Sequence, residues 1–153
     1  MSLPAIAEAV LADAAEILAL QKLCYQTEAR LNGDFQLPPL LQDLAGMQAD
    51  LAGQRVLKAV QETRIIGSVR AIEREGTCHI GRLIVHPDFQ NRGLGTRLMS
   101  EIEARFPDVV RFELFTGAKS ERNLHLYQKL GYLAFRREAL TAAATLVFLE
   151  KRR

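Results

Sequence analysis

The sequence predicts a single α+β domain over residues 1–153, with about six to seven strands in one mixed sheet and about four helices on its faces. Three observations carry that expectation. A chain of 153 residues is long enough for one sizeable hydrophobic core and too short for two. Apolar residues make up 48% and charged residues 25%, a globular balance that argues against disorder. The apolar period also switches along the chain, from helical spacing to strict alternation and then to strands and helices in turn.

Ala5 to Val10 has the composition of a short strand. Asp13 precedes Glu16 by three, a capping-box spacing that opens a helix with Ile17, Leu20, Leu23, Cys24 and Leu31 on one side. Asn32-Gly33 ends it. Pro38-Pro39 suits the start of a second helix carrying Leu40, Leu44, Met47 and Leu51, with Gly53 as its stop. Arg55 to Gln61, Ile65 to Arg74 and Thr77 to His86 alternate apolar and polar residues around short polar turns, the pattern of a three-stranded antiparallel meander. Leu94, Leu98, Ile102 and Phe106 then recur at helical spacing as far as Pro107. Val109 to Thr116 is a strongly apolar strand. Ser120 can cap a helix in which Leu124, Tyr127 and Leu130 share a side, with Gly131 as its left-handed stop. Two strands, near Leu133 to Leu140 and Thr145 to Lys151, close the chain.

Charge and composition exclude several functions. Twenty Lys and Arg against eighteen Asp and Glu leave a net charge of +2, too small a surplus for a dedicated nucleic-acid surface. The longest mostly apolar run, Leu140 to Leu149, falls well short of the ~20 residues that span a bilayer. The N-terminal residues lack a secretory pattern, so the cytoplasm is the expected compartment. Cys24 and Cys78 lie far apart and outside any metal-ligand spacing, which predicts buried, reduced thiols and no metal.

Chemistry concentrates between Leu83 and Thr96. The strand Leu83-Ile84-Val85-His86 runs through Pro87 into a loop of Gln90, Asn91, Arg92 and Gly93, which passes directly into a helix at Leu94-Gly95-Thr96. The first N–H groups of a helix lack internal partners and sit at its positive end. Glycines let that backbone come close to an anion, which suits a pyrophosphate, and Arg92 adds charge at the mouth. The dinucleotide fingerprint fails here because Leu98 stands where its third glycine belongs, and no G-K-[ST] follows to make a P-loop. Read from the glycines alone, the stretch is equally a polar strand-to-helix turn.

Two motifs together narrow the choice. Q-x-x-G-x-G from Gln90 to Gly95 follows the Leu83–Pro87 strand end, and Asn123-x-x-x-Tyr127-x-x-x-Gly131-Tyr132 follows the strand ending at Phe115-Thr116-Gly117. In this combination and order the chain resembles the GNAT superfamily of N-acetyltransferases over nearly its whole length. The resemblance implies a GNAT-like, mostly antiparallel, splayed sheet, in which the strand ending at Val85 parts from the strand ending near Phe115. It implies acetyl-CoA as co-substrate, paired along the backbone of Leu83, Ile84 and Val85, with the amides of Gln90, Asn91, Arg92, Gly93, Leu94, Gly95 and Thr96 on the pyrophosphate and Asn123 on the opposite side. It further implies transfer of acetyl to a primary amine of a small molecule or protein by direct attack in a ternary complex. Pairing into a homodimer through a free strand edge is common in the family.

For catalysis the resemblance puts the Val85 N–H on the developing oxyanion and makes Tyr127 the acid for the leaving sulfur. Tyr127 also suits a core position beside Leu124 and Leu130. The base stays open among Glu28 late in the first helix, His79 on the cofactor strand, and a water relay with no single base. Glu28 could equally hold a cationic amine without taking its proton. Glu73 could face a cleft or solvent. Arg70 could bind an acceptor carboxylate or pair with a neighbouring acid. Lys129 could meet a cofactor phosphate or complement its helix's dipole. The alternative function is an acyl-CoA-binding regulatory module without turnover.

Overall fold

The computed structural model describes residues 3–153. Strands β1 (Ala5–Glu8), β2 (Arg55–Gln61), β3 (Arg64–Arg74) and β4 (Thr77–Val85) pair antiparallel in that order. On the far side β5 (Arg111–Gly117) pairs antiparallel with β7 (Thr145–Arg152), and β7 with the edge strand β6 (Leu133–Ala139). The two blocks join only where β4 and β5 run parallel, with Thr77–His79 opposite Arg111–Glu113. Beyond His79 the strands part. The seven-stranded mixed sheet, mostly antiparallel and split at its centre, is the fold that the sequence predicts.

Two helical layers cover it. Helix α4 (Leu94–Ala104) buries Leu94, Leu98, Met99 and Ile102 in a core with Leu57, Ile66, Phe112 and Leu149. Helices α1 (Ala14–Asn32) and α3 (Leu44–Gly53) cover the other face, where Ile17, Leu20 and Met47 meet Val56, Ile65 and Ile84. Each fully buried Leu or Ile of this kind stabilises the fold by roughly 1.5–3 kcal/mol. Helix α5 (Glu121–Lys129) closes against Gly131, which takes φ +98 as expected for a left-handed stop.

Local details differ from expectation, each for a physical reason. The helix expected from Pro38 to Gly53 is broken: a single turn, α2 (Pro38–Leu41), ends at Gln42 in an extended conformation. Asp43 then caps α3, its carboxylate accepting the Gly46 N–H at 2.8 Å. Asp13 does not cap α1. It closes a preceding 3₁₀ turn (Leu11–Asp13), accepting from Val10 N at 2.8 Å and Lys58 Nζ at 2.8 Å, while Glu16 accepts the Ile65 N–H at 2.8 Å. Ser120 makes no cap bond, because its hydroxyl turns to Glu28. Leu23 and Leu31 are exposed and Cys24 is half-buried. Leu23 lies off the stripe of Ile17, Leu20 and Gln21, whereas Cys24 and Leu31 line a cavity beside the end of β4.

One irregularity positions the site. Ser68 faces Ile84 but Arg70 faces Gly81, so Arg82 and Leu83 together oppose Val69. This β-bulge puts Arg82 at φ +51 and re-aims the end of β4.

Candidate active site

The parted strand edge supplies the first cavity. His86 N donates to Ile66 O at 2.8 Å, so in the antiparallel ladder Ile84–Ser68 is the next bonded pair and Val85–Gly67 an unbonded one. Both polar backbone groups of Val85 therefore point away from β3, into the gap. Its carbonyl is met there by Gln90 Nε2 at 3.0 Å and by Cys24 Sγ at 3.4 Å. Its N–H faces the same gap. Asn91 at φ +63 and Gly93 at φ +80 then turn the chain into α4. The first helical bond of α4 runs from Arg97 N to Gly93 O at 3.1 Å, so the N–H groups up to Thr96 carry the unpaired donors of the helix end. These elements, with α1 and α5, enclose about 500 Å³. Gly95 lines it closely, and a Cβ there would lie 3.4 Å from Leu126 and 3.9 Å from Leu83.

Charge at the mouth is arranged differently from expectation. Arg92 lies outside the cavity lining, its guanidinium 5.4 Å from the centre of the Phe89 ring. Arg122 occupies the rim instead, bridging Gln90 Oε1 and Asn91 Oδ1, the latter at 3.0 Å. Lys129 and His125 line the same wall. The sequence holds a signal for Arg122, its place beside Asn123 at the start of α5, but nothing in it shows that the side chain folds back over the β4–α4 loop.

A second cavity of about 320 Å³ opens on the other side of the split and meets the first at Tyr25, Glu28, Leu83 and Asn123. Tyr127 lines the second cavity and is 6% exposed, its ring edge-on to Tyr132 at 6.1 Å. Burial first, then the neighbouring Tyr25 hydroxyl and Glu28 carboxylate, push its phenol well above the ordinary range. Burial likewise pushes Tyr25 up to about 12, with Arg82 opposing the shift. Glu28 accepts from Ser120 Oγ at 2.7 Å, and Asn123 Nδ2 donates to Thr116 Oγ1 at 3.3 Å. Sequence reasoning missed Tyr25, although its place one helical turn before Glu28 puts both on one side of α1.

His79 lines the second cavity but not its junction with the first. It lies 3.8 Å from Glu113, where β4 and β5 are still paired, and six positions before Val85. At ~3.3 Å per residue that separation is on the order of 20 Å, too far to act as base beside Val85. Glu73 is exposed, and Arg70 pairs with Asp50 at 2.6 Å. Cys78 is buried. The half-buried Cys24 has its thiol pushed up to about 12, chiefly by burial.

A strand parted from its parallel neighbour, a glycine-lined helix start at the parting and a second cavity behind it together make up the site. The chain belongs to the acetyltransferase (GNAT) family, whose pattern matches residues 14–132. In architecture it is similar to the PaiA N-acetyltransferase of Thermoplasma acidophilum in complex with coenzyme A, with a TM-score of 0.82 at 14% identity and 100% of each chain covered. It is also similar to the YncA protein of Salmonella typhimurium with its cofactor acetyl-CoA (TM-score 0.73, 20% identity, 99% of this chain and 94% of that one). A GNAT-family acetyltransferase from Streptococcus pneumoniae superposes with a TM-score of 0.75 at 24% identity, covering 98% and 99%. Among curated proteins, the UPF0157 protein YqkA of Bacillus subtilis (strain 168) is 28% identical over 122 residues, 78% of this chain and 34% of that protein. The chain thus spans about a third of the length of that relative. No helix among the described residues is long and apolar enough to cross a membrane.

Proposed function

We propose that this chain transfers the acetyl group of acetyl-CoA to a primary amine by direct attack, with both substrates bound at once. The observation that carries it is the turn of the Val85 N–H away from β3 into the gap, in a cavity that the unpaired amides at the start of α4 also line. The residues present fit the donor. An open strand edge accepts extended amides, and the start of α4 accepts phosphate oxygens. When bound, acetyl-CoA supplies a thioester carbonyl open to an amine. Val85 N–H donates to the oxygen that gains charge. Glu28, held by Ser120, draws the ammonium of the acceptor to the junction and receives its proton. Tyr127 remains protonated at neutral pH, so it gives a proton to the departing sulfur and cannot serve as the base.

The test is thiol release by the purified protein with acetyl-CoA across a panel of amines, together with calorimetry of acetyl-CoA binding. Acetyl-CoA-dependent release with a detectable binding heat supports the proposal. Binding without release on any amine assigns a regulatory module instead, and no binding at all overturns both.

A further inference from the structure

The second cavity carries its own charge pattern, and nothing in acetyl transfer requires it. Arg70 and Arg82 both line it. Arg70 is 9% exposed and its Nη1 lies 2.6 Å from Asp50 Oδ2, though off the line of a hydrogen bond. Arg82, half-buried on the bulge of β4, donates to a neutral acceptor, Gln42 Oε1, at 3.2 Å. Among the described residues it forms no ion pair with a carboxylate. Burial weighs against the charge on both guanidiniums, and for Arg70 the like charge of Arg82 follows as the next cause. One carboxylate, Asp50, thus serves two guanidiniums held close together.

The arrangement is built rather than incidental. Gln42 Oε1 also accepts from Gln21 Nε2 at 2.9 Å, and Gln21, 1% exposed, donates as well to Pro39 O at 2.9 Å. Gln42 Nε2 donates to Asp50 Oδ2 at 2.5 Å, which closes a chain from Arg82 through Gln42 and Asp50 to Arg70. A carboxylate at position 42 would have neutralised Arg82. The amide orients the guanidinium and leaves its charge unspent.

We infer that the acceptor is a small aminocarboxylate, its carboxylate bound by Arg82 beside Arg70 and its amine directed to Glu28 at the junction. This rests on the acetyl-transfer proposal above. A planar guanidinium with spare donors matches a carboxylate in a two-pronged contact. A volume of about 320 Å³, the share of roughly ten water molecules, limits the ligand to a small molecule. Glu28 lines both cavities and Arg82 only the second, so the site separates a cation-binding end from an anion-binding end.

The experiment measures thiol release, and thermal shift in the presence of coenzyme A, for the common α-amino acids, each set against its α-amide and its decarboxylated amine. The expected result is a preference of tenfold or more in kcat/KM for at least one acid over its amide. Arg82→Gln removes that preference chiefly through the KM of the acid, and Arg82→Lys restores part of it. Three outcomes overturn the inference: equal use of acid and amide, an unchanged preference in folded Arg82→Gln, or silence toward every aminocarboxylate in both turnover and binding. Turnover of amines lacking a carboxylate, alongside any of these, leaves acetyl transfer standing and so separates the two failures. Should Arg82→Gln fail to fold, the acid-to-amide ratio of the unaltered protein decides alone.

Discussion

The first cavity is organised by backbone amides, with polar side chains such as Arg122, His125 and Lys129 on its wall, and the second by side chains. At the first, Val85 and the start of α4 come from one run of about a dozen residues, and glycines at 93 and 95 give the main chain its close approach. At the second, Arg70, Arg82, Tyr25, Glu28 and Tyr127 arrive from four elements, and Gln42 and Asp50 hold the guanidiniums from behind. A backbone site tolerates wide change in sequence as long as the bulge, the loop and the glycines remain. A side-chain site can be respecified by single substitutions.

The sharpest way to break the comparison is to obstruct the backbone site without touching a charged side chain. Gly95→Val should raise the Kd for acetyl-CoA by about 100-fold or more, because the branched side chain crowds Leu126 and Leu83 where the main chain must be approached. The melting temperature should hardly fall, since Gly is among the poorest helix formers. Calorimetry and a thermal melt on one preparation measure both. A Gly95→Val protein that still binds acetyl-CoA tightly would show that the start of α4 is not the donor site.

At the junction the expected effects are smaller and fall on kcat or on the acceptor KM. Tyr127→Phe removes the acid and should cut kcat by tenfold or more, with the Kd for acetyl-CoA unchanged by calorimetry. An unchanged kcat in a folded Tyr127→Phe would reassign the residue to packing against Tyr132. Ser120→Ala removes a single hydrogen bond to Glu28 and should raise the acceptor KM about fivefold, in line with ~1 kcal/mol for such a bond. Steady-state kinetics in the acceptor would expose an effect on the donor KM instead, which would place Ser120 with the first cavity.

The same division explains what the sequence makes legible. The strand, loop and helix around Val85 to Thr96 are contiguous, so their order and glycines can be read directly, as can the spacing of Asn123, Tyr127 and Gly131. The split of the sheet came from the resemblance, since strand periodicity does not say which neighbours part. The second cavity was largely hidden. Arg82 faces it from a bulge that adds a residue to β4, and Gln42 meets Arg82 where the helix expected from Pro38 breaks before Asp43 recaps the chain. His79 lines that cavity from the stretch where β4 and β5 are still paired, a placing the sequence does not show: alternation fixes which face a strand residue takes, but not how far along the strand the neighbouring strand stays paired. Arg92, charged and central to its motif, turned out to pack over Phe89 while Arg122 crossed to the rim.

The least effect is expected at Cys24, and its smallness decides the order of events. A thiol beside the Val85 carbonyl is placed where it could take the acetyl group first and pass it on. Burial pushes that thiol up to about 12, leaving a thiolate fraction near ~10⁻⁴ at pH 8, and its hydrogen is given to the carbonyl at 3.4 Å. A nucleophile needs the opposite environment. Cys24→Ser should therefore change kcat by no more than about twofold, and iodoacetamide at pH 8 should leave Cys24 unlabelled over a period that modifies a free thiol. Kinetic patterns in the two substrates should intersect, as they do when both must be bound before acetyl moves. Parallel patterns, or an acetylated Cys24 trapped by mass spectrometry, would replace direct attack with a relay and would separate the two cavities in time as well as in construction.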